Sequence, residues 1–133
     1  MRVLLFDTNV VSILFKPEHP LHQRCFEIAF GHQWFVSFMT RGELLLWPEI
    51  NRWGSRRREE LLKHINLSTT LYPDDHTCLI WSSIMAESRM LGRTITTADA
   101  WVAATAQQWD IRLVTADYHD FEHLQAITLI PVG

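Results

Sequence analysis

Apolar residues along the chain fall into short blocks and helical periodicities that alternate. Val3–Phe6 is an uninterrupted apolar block of strand length and predicts a buried strand. Trp34–Phe38 is aromatic and β-branched and predicts a second strand. Arg112–Thr115 and Ile127–Ile130 predict a third and a fourth. Between them lie helical patterns at Thr8–Phe15, at His19–Phe30 stopped by Gly31, at Thr40–Ile50 with a kink expected at Pro48, and at Ser55–Ile65 capped by Ser55. A long pattern covers Asp74–Leu91, and Gly92 follows it in the position glycine favours after a helix. Thr97–Trp109 is an alanine-rich helical segment. Strands separated by helices predict an α/β fold: a mainly parallel central sheet with helices on both faces, three layers in all.

Length adds that this is one domain, residues 1–133. A 47% apolar and 20% charged composition is that of a globular chain with a core, and excludes a disordered, collagenous or coiled-coil protein. No apolar run reaches the ~18 residues of a membrane helix, and Asp7 interrupts the first apolar block too early for a signal peptide. Cys25 and Cys78 form neither a disulfide framework nor a zinc ribbon, so both are expected to be reduced core thiols in a cytoplasmic protein. Net charge is −3, which excludes a basic nucleic-acid coat. Ten of the twelve bases are Arg, the better fork for phosphate and carboxylate, although codon usage would produce the same bias.

The candidate chemistry lies in acids at strand ends. Asp7 directly follows the first predicted strand, Glu43 falls in the first turn of the helix after the second, and Asp117 stands two residues beyond the third. Asp99 lies near the start of its helix. Each has a structural explanation. Acids after strands are often turn residues or caps, Thr40-Arg41-Gly42-Glu43 reads as a capping box, and Asp99 complements a helix dipole. Ligands of open parallel sheets, however, bind at the carboxyl ends of the strands. Carboxylates gathered there repel one another unless a cation sits among them. Oxygen-only ligands suit Mg²⁺ or Mn²⁺, and a pair of such ions promotes phosphodiester hydrolysis.

The segments Leu4-Leu5-Phe6-Asp7-Thr8-Asn9, Ser37-Phe38-Met39-Thr40-Arg41-Gly42-Glu43-Leu44, Thr97-Ala98-Asp99-Ala100-Trp101-Val102-Ala103-Ala104-Thr105-Ala106 and Leu113-Val114-Thr115-Ala116-Asp117-Tyr118-His119-Asp120-Phe121 resemble the four motifs of PIN-domain ribonucleases. More narrowly they resemble the VapC toxins of bacterial toxin–antitoxin pairs, over essentially the whole chain. Asn51-Arg52-Trp53-Gly54 is similar to a segment of one VapC branch. The resemblance implies a single PIN domain over 1–133. It implies a catalytic and metal-binding quartet at Asp7, Glu43, Asp99 and Asp117, with Asp120 as an alternative fourth acid. It further implies Mg²⁺- or Mn²⁺-dependent cleavage of RNA, a homodimer, and inhibition by a cognate antitoxin. Thr8 and Thr115 flank the acids and are either hydrogen-bond partners of the carboxylates or plain strand-end hydroxyls.

Other features leave two readings open. Arg56-Arg57-Arg58 opens a helix against its dipole, which suits either phosphate contact together with Arg52 or pairing with Glu59, Glu60 and solvent. Leu44, Leu45, Leu46, Trp47 and Ile50 cover more than one helical face, as a protein interface or a sandwiched core helix would. Trp47, Trp53, Trp81 and Trp101 suit interfaces or the core. The seven His form no metal set, since His119 and His123 lack the companions of a zinc motif. Two other functions share parts of this pattern: a PIN-like module that only binds RNA or a partner, and a haloacid-dehalogenase-like phosphatase. The latter needs a second Asp where Asn9 stands and a late Lys, and no Lys follows Lys63.

Overall fold

The computed structural model describes residues 2–133. Five strands form one sheet: β1 (Val3–Phe6), β2 (Gln33–Ser37), β3 (Thr69–Leu71), β4 (Leu113–Thr115) and β5 (Leu129–Pro131). Their order is β3-β2-β1-β4-β5 and every neighbouring pair is parallel. Seven helices are described: α1 (Thr8–Leu14), α2 (His22–Ala29), α3 (Phe38–Asn51), α4 (Ser55–Ile65), α5 (Asp75–Met90), α6 (Thr97–Trp109) and α7 (Tyr118–Phe121). The expected mainly parallel three-layer architecture is present, with a sheet that is parallel throughout.

Alternation along the strands explains the layers. On β1, Leu4 and Phe6 point to one face, where they pack with Val10 and Val11 of α1, Cys25 of α2, Leu44 of α3 and Leu61 of α4. Leu5, on the opposite face, joins Leu113, Ile80 and Ile84 of α5 and the small residues Ala100, Ala103 and Ala104 of α6. Those alanines let α6 lie close to the sheet while its helix propensity stays high. A strand buried on both faces needs no polar alternation, hence the continuous apolar block at the N-terminus.

Several boundaries differ from expectation. α3 begins at Phe38 because the Ser37 hydroxyl accepts from the Thr40 N–H at 3.1 Å and caps the helix. Thr40 is therefore not a cap, and Glu43 sits in the second turn, not the first. Pro48 lies within the last turn, and Arg52 ends the helix in the left-handed region. α4 is preceded by Gly54, and Ser55 makes no capping hydrogen bond. α2 starts only at His22, since Pro20 lacks an N–H and the preceding residues turn through His19 N–H to Lys16 C=O. The last strand is shifted to Leu129–Pro131. β3 and α7 were not anticipated. β3 is a three-residue edge strand with an exposed threonine, too short and too polar to register as an apolar block. Cys25 is buried as expected, but Cys78 is exposed on α5, and both are free. No described helix is long and apolar enough to cross a membrane.

Candidate metal centre

The strand order places a reversal between β1 and β4: the chain leaves β1 toward β2 and β3 on one side, and later enters β4 and β5 on the other. Such a switch point opens a crevice at the strand carboxyl ends. Asp7 stands at the end of β1, and Asp117 two residues beyond β4.

Asp7 is 5% exposed and caps α1. Its Oδ1 accepts from the Thr8 N–H at 2.8 Å, and its Oδ2 accepts from the buried Thr115 hydroxyl at 2.9 Å. Thr115 Oγ1 in turn accepts from the Asp117 N–H at 2.9 Å, so one hydroxyl ties the two strand-end acids together. The Asn9 side-chain amide donates to Asp117 Oδ2. Thr8 Oγ1 donates to Glu43 Oε1 at 2.7 Å and lies 3.1 Å from the Thr40 hydroxyl, itself beside Ser37. Asp99 occupies the first turn of α6, whose cap Thr96 accepts from the Asp99 N–H at 3.0 Å.

Electrostatics link the same residues. Burial pushes the Asp7 carboxyl up to about 6; hydrogen bonds from Thr115 and Thr8 oppose this, and the charges of Asp99 and Asp117 add to it. Asp99 is also raised, first by burial, against the Thr96 hydrogen bond, and then by Asp120, Glu43 and Asp117. Asp7 thus senses the charges of Asp99 and Asp117, and Asp99 those of Asp120, Glu43 and Asp117. None of them takes part in an ion pair among the described residues. An oxygen-only, unneutralised donor set fits a hard divalent cation. As the side chains stand, no three described His, Cys, Asp or Glu groups surround a single point at ligand distance. Thr8 draws Glu43 aside, and Asn9 holds one oxygen of Asp117.

Sequence reasoning named Thr8 and Thr115 as possible partners, and both hydrogen-bond carboxylates. It missed Asn9 and Thr40. Asn9 follows Asp7 by two positions and lies on the exposed side of α1, but its partner is 108 positions away in sequence.

The arginine triplet divides. Arg56 is 94% exposed at its side chain and lies 3.6 Å from Glu60, one of the expected partners. Arg58 pairs with Glu49 instead, and also donates to the carbonyls of Trp53 and Pro48, closing the end of α3. Arg57 stacks over Trp53, 3.8 Å from the ring centroid. The apolar surplus of α3 divides too: Leu44 is core, whereas Leu46 and Ile50 are exposed and line a 210 Å³ cavity with Trp47, Thr8 and Glu43. His119 lies 3.2 Å from Glu122, while His123 meets Ser88, so the two do not converge.

Comparison with known proteins agrees with this fold. Ribonuclease VapC1 of Haemophilus influenzae (strain R2866) is 25% identical over 127 residues, 92% of each chain. The fold is similar to that of DNA-bound VapBC from Salmonella typhimurium, with a TM-score of 0.82, 20% identity and 98% coverage of both chains. It is also similar to a toxin–antitoxin complex from Klebsiella pneumoniae, with a TM-score of 0.75, 19% identity and coverage of 94% of this chain and 95% of the other. The family model of the PIN domain matches residues 4–127. With that match spanning both strand-end acids and both helices that carry the others, the chain belongs to the PIN-domain family.

Proposed function

We propose that the protein is a Mg²⁺- or Mn²⁺-dependent endoribonuclease and the toxin of a toxin–antitoxin pair. The observation that carries this reading is the acid cluster without counter-charge at the sheet's switch point, with Asp7 buried and its carboxyl pushed up to about 6. Folding such a cluster is costly unless something positive is bound there in the working state. The VapC-named relative supports RNA as the substrate.

In this reading Asp7, Glu43, Asp99 and Asp117 hold the ion, and the charge of Asp120 acts on Asp99. The bound ion would supply an activated water and charge neutralisation at a phosphodiester. The chain's own contribution is orientation. Thr115 fixes one oxygen of Asp7 while the Thr8 N–H fixes the other. Asn9 and the Thr115 hydroxyl set the angle of Asp117. Thr8 holds Glu43 in reserve, and releasing that single hydroxyl frees the carboxylate to turn toward the others.

The 210 Å³ cavity joining Glu43 to Leu46, Trp47 and Ile50 suits an antitoxin segment with apolar anchors and one basic side chain. An Arg or Lys placed there would satisfy the same carboxylates and exclude the ion. A homodimer in the cytoplasm completes the proposal. The test is cleavage of RNA by the purified chain: loss on adding EDTA and return with Mg²⁺ or Mn²⁺ support the enzyme. RNA binding that persists in EDTA with no cleavage in any divalent ion would make the protein a binding module instead.

A further inference from the structure

Two cavities meet beside the acid cluster. One, of about 330 Å³, is lined by Asn9, Ser12, Lys16, His19, Leu21 and Ala116. The other, of about 580 Å³, shares Leu21 and Ala116 with it and continues past Asp117, Tyr118 and His119. Together they form a trough with acids at one end and a cation at the other.

The cationic end is built by α1. Asn9, Ser12 and Lys16 recur at helical spacing and so share one face, with Lys16 just past the helix end. Asn9 already contacts Asp117. Seven residues at helical rise set Lys16 about 10 Å farther along the axis. The Lys16 ammonium lies 4.4 Å from the centroid of the Trp47 ring, and no ion pair engages it among the described residues. Trp47 thus holds the ammonium over its ring face, while the N–H groups turned away from the ring stay open. His19 accepts the Leu21 N–H at Nδ1, 3.0 Å away, so its neutral ring carries the proton on Nε2 and presents a second donor. The Ser12 hydroxyl is a third. An ammonium flanked by an imidazole N–H and a hydroxyl that can donate, set along α1 from an acid site that handles a phosphodiester, matches a second phosphate of the same strand. The exposed Tyr118 ring lining the other half of the trough suits an unpaired base. The adjoining cavity shares Asn9 and Ser12 with the trough but adds Leu44, Leu46, Trp47 and Ile50, an apolar lining that suits a protein.

We propose that Lys16, assisted by Ser12 and His19, binds a phosphate of single-stranded RNA next to the one cleaved, and so fixes how the strand lies across the acids. The proposal rests on the RNA-cleaving reading above. The experiment measures binding of a short, end-labelled, mixed-sequence single-stranded RNA to the full chain carrying Asp7→Asn, with and without Lys16→Gln, Lys16→Arg or Ser12→Ala, across a salt series. Lys16→Gln should weaken binding by about three- to tenfold at low salt and flatten the slope of log affinity against log salt by about 0.7, the share of one phosphate contact on a single strand. Lys16→Arg should restore both, and Ser12→Ala should weaken binding without changing the slope. Unchanged affinity and slope in Lys16→Gln would overturn the proposal, as would failure of Lys16→Arg to restore them, which would mark an effect on Trp47 packing. Cleavage by the unsubstituted chain is scored in parallel. Cleavage with an unchanged slope removes the phosphate contact alone, whereas a changed slope without cleavage removes the nuclease reading alone.

Discussion

Asp7 concentrates the conflict between stability and function in one side chain. Its carboxyl titrates near 6 in the folded chain, above the ordinary 3.8, chiefly because it is buried. The folded state therefore holds that proton more tightly than the unfolded one, and stability falls as pH rises from about 4 to about 6. Asp7→Asn should stabilise the ion-free protein above pH 6 by on the order of 1–3 kcal/mol, and this advantage should vanish below pH 4. Urea unfolding at several pH values checks it, and added Mg²⁺ should raise the midpoint of the parent but not of the variant. Thr115 acts in the opposite sense, because its hydroxyl serves both Asp7 and the Asp117 N–H. Thr115→Val keeps the shape but leaves both groups unpaired in a buried position, and should cost about 1–3 kcal/mol in the same unfolding measurement.

At the scale of elements, each acid is aimed by the start of a helix. Ser37 caps α3 and thereby sets the phase at which Glu43 leaves it. Ser37→Ala should destabilise the chain by about 1 kcal/mol, read by thermal or urea unfolding. β1, α5 and α6 were legible because each carries a clean pattern: an apolar block, a long helical periodicity with Gly92 beyond its end, and an alanine-rich run. The start of α3 was not, because Thr40-Arg41-Gly42-Glu43 reads as a capping box, whereas in the folded chain Thr40 already lies in the first turn and gives its N–H to the Ser37 hydroxyl. β3 exists because its neighbour β2 offers an open edge, which no local pattern announces. The three acids at strand or helix ends could be found from the sequence, since the ends themselves could. The Asn9–Asp117 and Thr8–Glu43 links depend on tertiary placement across long stretches of chain. The apolar cavity of α3 carries its own expectation: Leu46→Asp with Ile50→Asp, both at exposed positions, should change stability by less than about 0.5 kcal/mol yet abolish high-affinity binding of the cognate antitoxin in calorimetry.

For the whole molecule, the parallel sheet brings residues from the first and last thirds of the chain to one crevice, and this topology gives the acid cluster its position. Beyond the crevice, Trp81 stacks on Trp101 at a centroid distance of 5.1 Å and Phe38 meets Trp101 edge-on, an aromatic group left only partly covered. A second copy of the chain is the proposed cover. Light scattering at micromolar concentration should then give twice the 15.6 kDa of the chain, and a mass of 15.6 kDa would reject the homodimer.

The central claim is that the clustered carboxylates carry metal-dependent RNA cleavage. The most direct measurement is the rate of RNA cleavage by the purified chain, by Asp7→Asn and by Asp99→Asn in Mn²⁺, with each variant first shown to be folded. The account predicts cleavage by the parent only when the divalent ion is present, and a fall of more than about a hundredfold in both variants, at least the loss expected on perturbing a metal site. Full cleavage by either folded variant, or cleavage by the parent that survives removal of the ion, would contradict it.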